Sequence, residues 1–106
     1  MLYVYAIGDE QNNVKVGISK NPKQRLRSIQ TGHPYKLHIL FTEEFDCSRK
    51  HILRIERKLH FELSTQYKKE KGEWFYISPT QLESLKKHII FFRIRYEDES
   101  TVGHAL

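Results

Sequence analysis

The chain of 106 residues is poor in cysteine, proline and glycine, and it has no long apolar run. Its single cysteine, Cys47, excludes an intramolecular disulfide framework and a cysteine-rich zinc site. We expect this residue to start a helix or to face the core. No uninterrupted apolar stretch approaches the roughly 18–20 residues that span a bilayer. The start, Met1-Leu2-Tyr3, also lacks the basic segment of a secretory signal. We therefore expect an intracellular, cytoplasmic protein (nuclear in a eukaryote) with no membrane partner.

The composition favours one small folded domain. A hydrophobic fraction of 39% with 12% aromatic residues can fill a modest core, which argues against disorder. We expect a single domain over residues 1–96 and a flexible tail over residues 97–106. The net charge of +5 and the pI of about 9.4 favour an anionic partner such as nucleic acid. A soluble domain with excess lysine is the alternative.

The first half of the chain predicts a hairpin followed by a helix. Residues 2–7 and 14–18 are short strand patterns on either side of a polar turn. Asn21 is a good N-cap, Pro22 suits the first helical position, and Gln24 completes a capping box. This helix should end at Thr31-Gly32, where the glycine can adopt the left-handed conformation.

The second half predicts one further strand and two helices. Residues 35–45 are expected to form a third, central strand. Ser48 can cap a helix over about residues 49–63, whose apolar residues recur at helical spacing. After a lysine-rich loop, residues 73–77 form a short segment typical of an edge strand. Ser78 begins a second capping box, and the last helix should run to about Arg95. Two apolar stripes should face the sheet: Ile52, Ile55, Leu59 and Leu63, and Leu82, Leu85, Ile89 and Phe92.

The order ββαβα(β)α predicts an α+β domain in which helices flank a small sheet. Within that order, Tyr3-Val4-Tyr5, Lys15-Val16-Gly17, Arg25 and Glu56 together resemble the GIY-YIG nuclease superfamily. Tyr3-Val4-Tyr5 stands where that family has Gly-Ile-Tyr, and it matches at the tyrosine. Lys15-Val16-Gly17 stands where the family has Tyr-Ile-Gly, and there a lysine replaces the tyrosine.

Three further motifs resemble one branch of the superfamily, named after a phage T5 open reading frame and a meiotically up-regulated gene. They are Thr31-Gly32-His33-Pro34, Glu56-Arg57-Lys58-Leu59-His60 and Gly72-Glu73-Trp74-Phe75. The resemblance covers roughly residues 3–77. It implies a three-stranded antiparallel sheet, and we expect Trp74 and Phe75 to be core residues.

The resemblance also implies catalytic roles for Tyr5 and Arg25. The phenol of Tyr5 would activate or position the attacking water, but its ordinary pKa of about 10 requires a nearby cation if it is to act as a base. Lys15 could be that cation, or it could be an exposed strand lysine. Arg25 would hold the scissile phosphate, because a guanidinium is always charged and binds phosphate oxygens bidentately.

Glu56 matches the metal-binding glutamate of the family and would hold a largely hydrated Mg²⁺ or Mn²⁺ ion. The alternative is a surface glutamate paired with a cation such as Arg49 or Lys58. His60 lies one helical turn later on the same face, where it could bond to Glu56 or to a phosphate. His33 could substitute for a histidine that some relatives carry one turn after the arginine, but a lone histidine in a loop is usually incidental.

We interpret the sequence as a metal-dependent DNA endonuclease that hydrolyses phosphodiester bonds, with RNA kept open as a substrate. The catalytic residues Tyr5, Lys15, Arg25 and Glu56 should converge on one concave face. Further nucleic-acid contacts are expected from Lys20, Lys23, Arg27, Arg57 and His60. One alternative is a nucleic-acid-binding module of the same fold that has lost catalysis, which the lysine at position 15 favours. Another is an interaction domain without any nucleic-acid role.

Overall fold

The structure is a computed structural model that describes residues 1–46 and 51–105, with side chains described up to residue 96. The predicted α+β class is confirmed. In chain order the elements are β1 (Leu2–Gly8), β2 (Asn13–Ser19), α1 (Pro22–Gln30), β3 (His38–Phe45), α2 (Ile52–Ser64), β4 (Lys68–Lys69), β5 (Trp74–Tyr76), a 3₁₀ turn (Pro79–Gln81) and α3 (Leu82–Ala105). Cys47 and Ser48, for which helix-starting roles were predicted, lie outside the described residues.

The sheet has five antiparallel strands in the order β3-β1-β2-β5-β4, so the prediction of three strands is wrong. The additional strands arise because β5 pairs with the start of β2 and the two-residue β4 then pairs with β5. The segment predicted as an edge strand is therefore internal. In contrast, β3 was predicted to be central but lies at an edge, where all of its residues except the buried Phe45 are exposed or half-buried.

Helices α2 and α3 cover one face of the sheet and form the main core with it. Both predicted stripes are confirmed in their last three residues, because Ile55, Leu59, Leu63, Leu85, Ile89 and Phe92 are buried, while the first residues, Ile52 and Leu82, are half-buried. Helix α3 continues to Ala105, past the end predicted near Arg95. The division of the chain at residue 96 stays a prediction. No helix in the described part of the chain combines the length and apolar character that a membrane crossing requires.

Among the described elements, α1 alone lies on the other face of the sheet, and it has no buried residue. Tyr5, Ile7 and Leu37 form a small buried cluster there. Leu26 and Ile29 of α1 pack partly against it. The helix is therefore held by a thin apolar contact, and its polar side is open to ligands.

The caps explain where the helices begin. Asn21 Oδ1 accepts a hydrogen bond from Gln24 N at 3.2 Å, which confirms the predicted N-cap. Asn21 N donates to Ser19 Oγ instead of to Gln24, so only half of that capping box forms. The box at Ser78 is complete.

The end of α1 differs from the prediction. Gly32 is not in the left-handed region; Gly72 is the described glycine with a positive φ. At the end of α1, Gly32 N donates a hydrogen bond to Ile29 O and His33 N donates one to Gln30 O. Such bonds tighten the last turn and satisfy its carbonyls without a left-handed residue.

Candidate active site

Tyr5 and Gly17 face each other across β1 and β2. Tyr5 is 1% exposed, and its phenol lies over Gly17 so closely that a Cβ atom there would be 2.4 Å from the tyrosine hydroxyl oxygen. Real Cβ contacts are never this short, so no side chain larger than hydrogen fits unless the tyrosine moves. The glycine of the second half-motif therefore makes room for the tyrosine of the first.

Arg25 reaches the same hydroxyl from α1, and its Nε donates a hydrogen bond to Tyr5 Oη at 3.4 Å. Burial raises the pKa of Tyr5, and the bond to Arg25 only partly opposes that rise. The same bond is the main reason why the pKa of Arg25 is also raised. At neutral pH the pair is thus a protonated phenol and a guanidinium cation.

The edge of β2 next to Gly17 is completed by two side chains of α2. Strand β5 pairs with β2 only as far as Lys15. Beyond that point Ile18 N donates to Glu56 Oε2 at 2.9 Å, and His60 Nε2 bonds to Val16 O at 2.6 Å. Since a carbonyl can only accept, the histidine nitrogen is the donor. These bonds satisfy strand groups that would otherwise be unpaired.

Glu56 thereby comes close to the Tyr5 site although α2 packs on the opposite face of the sheet. Its carboxylate contributes to the raised pKa of both Tyr5 and Arg25, so it acts on both groups electrostatically. Glu56 is half-buried, and Oε2 is the oxygen that bonds to the strand. Among the described residues no hydrogen bond to Oε1 is seen, which leaves that oxygen available to a cation.

His60 and Lys15 have partners that the sequence did not indicate. The Nε2 atom of His60 bonds to the Val16 carbonyl and not to Glu56. Lys15 shares the Tyr5 face of the sheet, but its Nζ lies 3.0 Å from Glu73 Oε2 and 5.5 Å from the ring centre of Trp74. The cation that contacts the Tyr5 hydroxyl is therefore Arg25. The Glu73 carboxylate raises the pKa of Tyr5 further.

A metal ion at this site would depend on Glu56. In the described residues no group of three or more histidine, cysteine, aspartate or glutamate side chains could hold an ion together. Zinc sites need three or four such ligands, whereas Mg²⁺ keeps most of its waters and accepts one or two carboxylates. The free Oε1 of Glu56 fits the second kind of ion.

A second polar cluster, around His33, was not anticipated from the sequence. His33 Nε2 lies 2.6 Å from Asp9 Oδ2, and its ring stacks on Trp74 with centroids 4.8 Å apart. Burial alone would raise the pKa of Asp9, but hydrogen bonds from Asn13, His33 and Gln11 outweigh it and lower the pKa. Trp74, which was predicted to be a core residue, is only half-buried and its ring stacks on His33, whereas Phe75 is buried in the core as predicted. The sequence did contain a signal for this cluster, because His33 and Trp74 both belong to motifs that carry the family resemblance.

The residues predicted to bind nucleic acid are exposed around the site, except for His60. Lys20 and Lys23 line a groove of about 410 Å³ at the start of α1. Arg27 is exposed on the last turn of α1, and Arg57 is exposed on α2 immediately after Glu56. Their contacts with nucleic acid stay predictions.

The fold and the site define a small α+β domain in which a tyrosine–arginine pair and a glutamate meet at one strand. A comparison with known families finds that the T5orf172 domain matches residues 1–90. The chain belongs to the T5orf172 domain family, which confirms the branch that the motifs indicated. This family is compatible with a GIY-YIG-like nuclease or a nucleic-acid-binding module. No curated protein and no solved structure matches the chain.

Proposed function

We propose that this protein is a metal-dependent DNA endonuclease that hydrolyses phosphodiester bonds. The observation that carries the proposal is the meeting of Tyr5, Arg25 and Glu56 around Gly17. A phenol, a permanent cation and a carboxylate with a free oxygen are the groups that phosphodiester hydrolysis needs at one place. Each is held by a different element, and the hydroxyl of the buried Tyr5 is bonded to the guanidinium of Arg25.

Arg25 binds the scissile phosphate in this proposal. Its Nε is occupied by the Tyr5 hydroxyl, while the rest of the exposed guanidinium remains available for phosphate oxygens. A fixed cation of this kind stabilises the negative charge that develops as water attacks phosphorus and the bond to the leaving oxygen breaks. It therefore serves binding and rate together.

Tyr5 positions the attacking water and does not act as a strong base on its own. Because burial raises its pKa, the phenol stays protonated at neutral pH. A protonated phenol can hold water by accepting or donating a hydrogen bond. Glu56 would hold Mg²⁺ or Mn²⁺ through Oε1, and the bound ion would neutralise phosphate charge and acidify water.

The decisive experiment replaces Glu56 by glutamine. The amide oxygen of Glu56→Gln can still accept the bond from Ile18 N, so the edge of β2 is preserved while the charge is lost. We expect metal-dependent cleavage of DNA to disappear and DNA affinity to stay equal or to increase. Glu83→Gln, an exposed charge change on α3, is the matched control and should cleave normally. A Glu56→Gln protein that cleaves at the wild-type rate would refute the metal role.

The second candidate is a nucleic-acid-binding module without catalysis. The ion pair between Lys15 and Glu73 favours it, because the cation in the second half-motif is already neutralised by a carboxylate. Wild-type protein that binds DNA but shows no cleavage with Mg²⁺ or Mn²⁺ on duplex, single-stranded and branched substrates would decide for this candidate.

A further inference from the structure

A groove of about 410 Å³ lies beside the Tyr5 site and has no part in the chemistry described above. Its floor is formed by Tyr3 and Ile39, which are both half-buried. Its rim at the start of α1 carries two exposed lysines, and Thr42 adds a polar wall. The volume falls within the range of small-molecule sites, which is roughly 300–1,000 Å³.

The groove opens directly next to the proposed catalytic residues. Tyr3 precedes Tyr5 by two positions in β1, so both side chains point to the same face about 7 Å apart along the strand. Thr42 of β3 is the cross-strand partner of Tyr5. A chain of nucleotides whose phosphate lies at Arg25 would therefore place its neighbouring nucleotide in this groove.

The charges on the two sides of the groove have opposite signs, so they favour one orientation of a bound nucleotide. Lys20 and Lys23 make one side cationic, which suits a phosphate. On the other side Glu44 is the exposed cross-strand neighbour of Tyr3, and its carboxylate would repel a phosphate. The sugar-phosphate backbone is thus directed to the lysines, and an uncharged ring is directed to the tyrosine.

We propose that this groove binds an unpaired nucleobase next to the scissile phosphate, stacked on Tyr3. Stacking requires a base whose face is not covered by its neighbours, so the base must be splayed out of a duplex. The substrate class that follows is DNA with a single-stranded nucleotide beside the cut, such as a flap, a fork or a single strand. This inference rests on the proposed function for the position of the cut, but base binding can be tested without cleavage.

The test measures binding in EDTA, where metal-dependent cleavage cannot interfere. The probes are a short oligo-dT and an abasic sugar-phosphate chain of equal length, which carries the same charge without bases. We expect wild-type protein to prefer oligo-dT about tenfold, and Tyr3→Leu to remove that preference while leaving the abasic affinity unchanged. Tyr3→Phe should retain the preference because the ring remains. Tyr76→Leu changes a more exposed tyrosine on β5, which pairs with Asn13 at the opposite end of β2, and should have no effect.

A second measurement does not depend on how well the leucine variant folds. An oligonucleotide that contains 2-aminopurine should lose fluorescence when wild-type protein stacks the base. Equal affinity for both probes, no quenching, or a Tyr3→Leu protein that still prefers bases would each overturn the proposal. Quenching without metal-dependent cleavage would support base binding in the groove and contradict the proposed nuclease activity. Cleavage without base preference would support the nuclease activity and contradict base binding in the groove.

Discussion

The two faces of the sheet differ in how much they bury. On the face of α2 and α3, a continuous cluster of buried residues runs from Val4 and Val16 to Phe75 and Phe92. On the face of α1, three buried residues, Tyr5, Ile7 and Leu37, make up the cluster. Because apolar burial is the main source of stability, the first face holds the domain together. The second face can then expose charged groups at little cost.

This division places the candidate site where the core is thinnest. The Tyr5 hydroxyl meets Arg25 from the weakly packed α1, and Glu56 arrives from the stable face through the open edge of β2. The site therefore takes Glu56 from the face with the large core and Arg25 from the face that is more open to solvent. Substitutions on each face can therefore test how independent the two faces are.

The largest effect is expected in the core of the stable face. Leu59→Ala removes a fully buried side chain from α2 and should lower the free energy of unfolding by about 2–5 kcal/mol. Leu26→Ala on α1 removes only a partly buried one and should cost clearly less, about 1 kcal/mol. Denaturant unfolding measures both. Equal losses would mean that the two faces contribute alike.

The next effect concerns activity on the α1 face. Gly17→Ala places a methyl group against the Tyr5 hydroxyl, so the phenol must shift and its bond to Arg25 is disturbed. We expect the cleavage rate to fall about 100-fold, since positioned hydrogen-bonding groups at active sites are worth about this much. Gly32→Ala is the matched control, because nothing lies within 4 Å of its added Cβ. If Gly17→Ala cuts DNA as fast as Gly32→Ala, the Tyr5–Gly17 contact is not part of the site.

A smaller effect is expected at the hairpin turn, where Asp9 meets His33. Since the pKa of Asp9 is lowered in the folded protein, its contribution to stability is present above the ordinary pKa near 3.9. That contribution is lost as the pH falls from there through the lowered folded pKa. Asp9→Asn should cost about 1–2 kcal/mol at pH 7 and should flatten the acid side of the stability curve. Unfolding at several pH values checks both, and an unchanged acid limb would contradict the assignment.

The smallest effect is expected from single surface cations. Duplex DNA binding should weaken with salt with a logarithmic slope of about −0.9 per phosphate contact, and we expect roughly three to six contacts. Lys23→Ala on α1 should reduce that slope by about 0.9, whereas Lys86→Ala, exposed on α3, should leave it unchanged. Binding titrations at several salt concentrations measure the slopes. Equal losses for both lysines would indicate that DNA does not prefer the α1 face.

Much of the fold could be predicted from local patterns. The hairpin, the Asn21 cap, the Ser78 capping box and the stripe of α3 followed from neighbouring residues, because their hydrogen bonds and periodicity are local. The order of the strands in the sheet could not be predicted from such local patterns. β4 has only Lys68 and Lys69, which carry no apolar alternation, and it exists because its backbone pairs with β5.

The family, the α+β class and the identities of Tyr5, Arg25 and Glu56 as candidates depend on residue types at given spacings, so they could be read from the sequence alone. The way in which the three residues meet depends on the folded arrangement of the chain. The partner of Lys15 is Glu73, and the carboxylate of Glu56 comes round the edge of β2, since both contacts join segments distant in the chain. The raised pKa of the Tyr5 phenol is likewise tertiary, because it depends on burial, which no spacing of residues specifies.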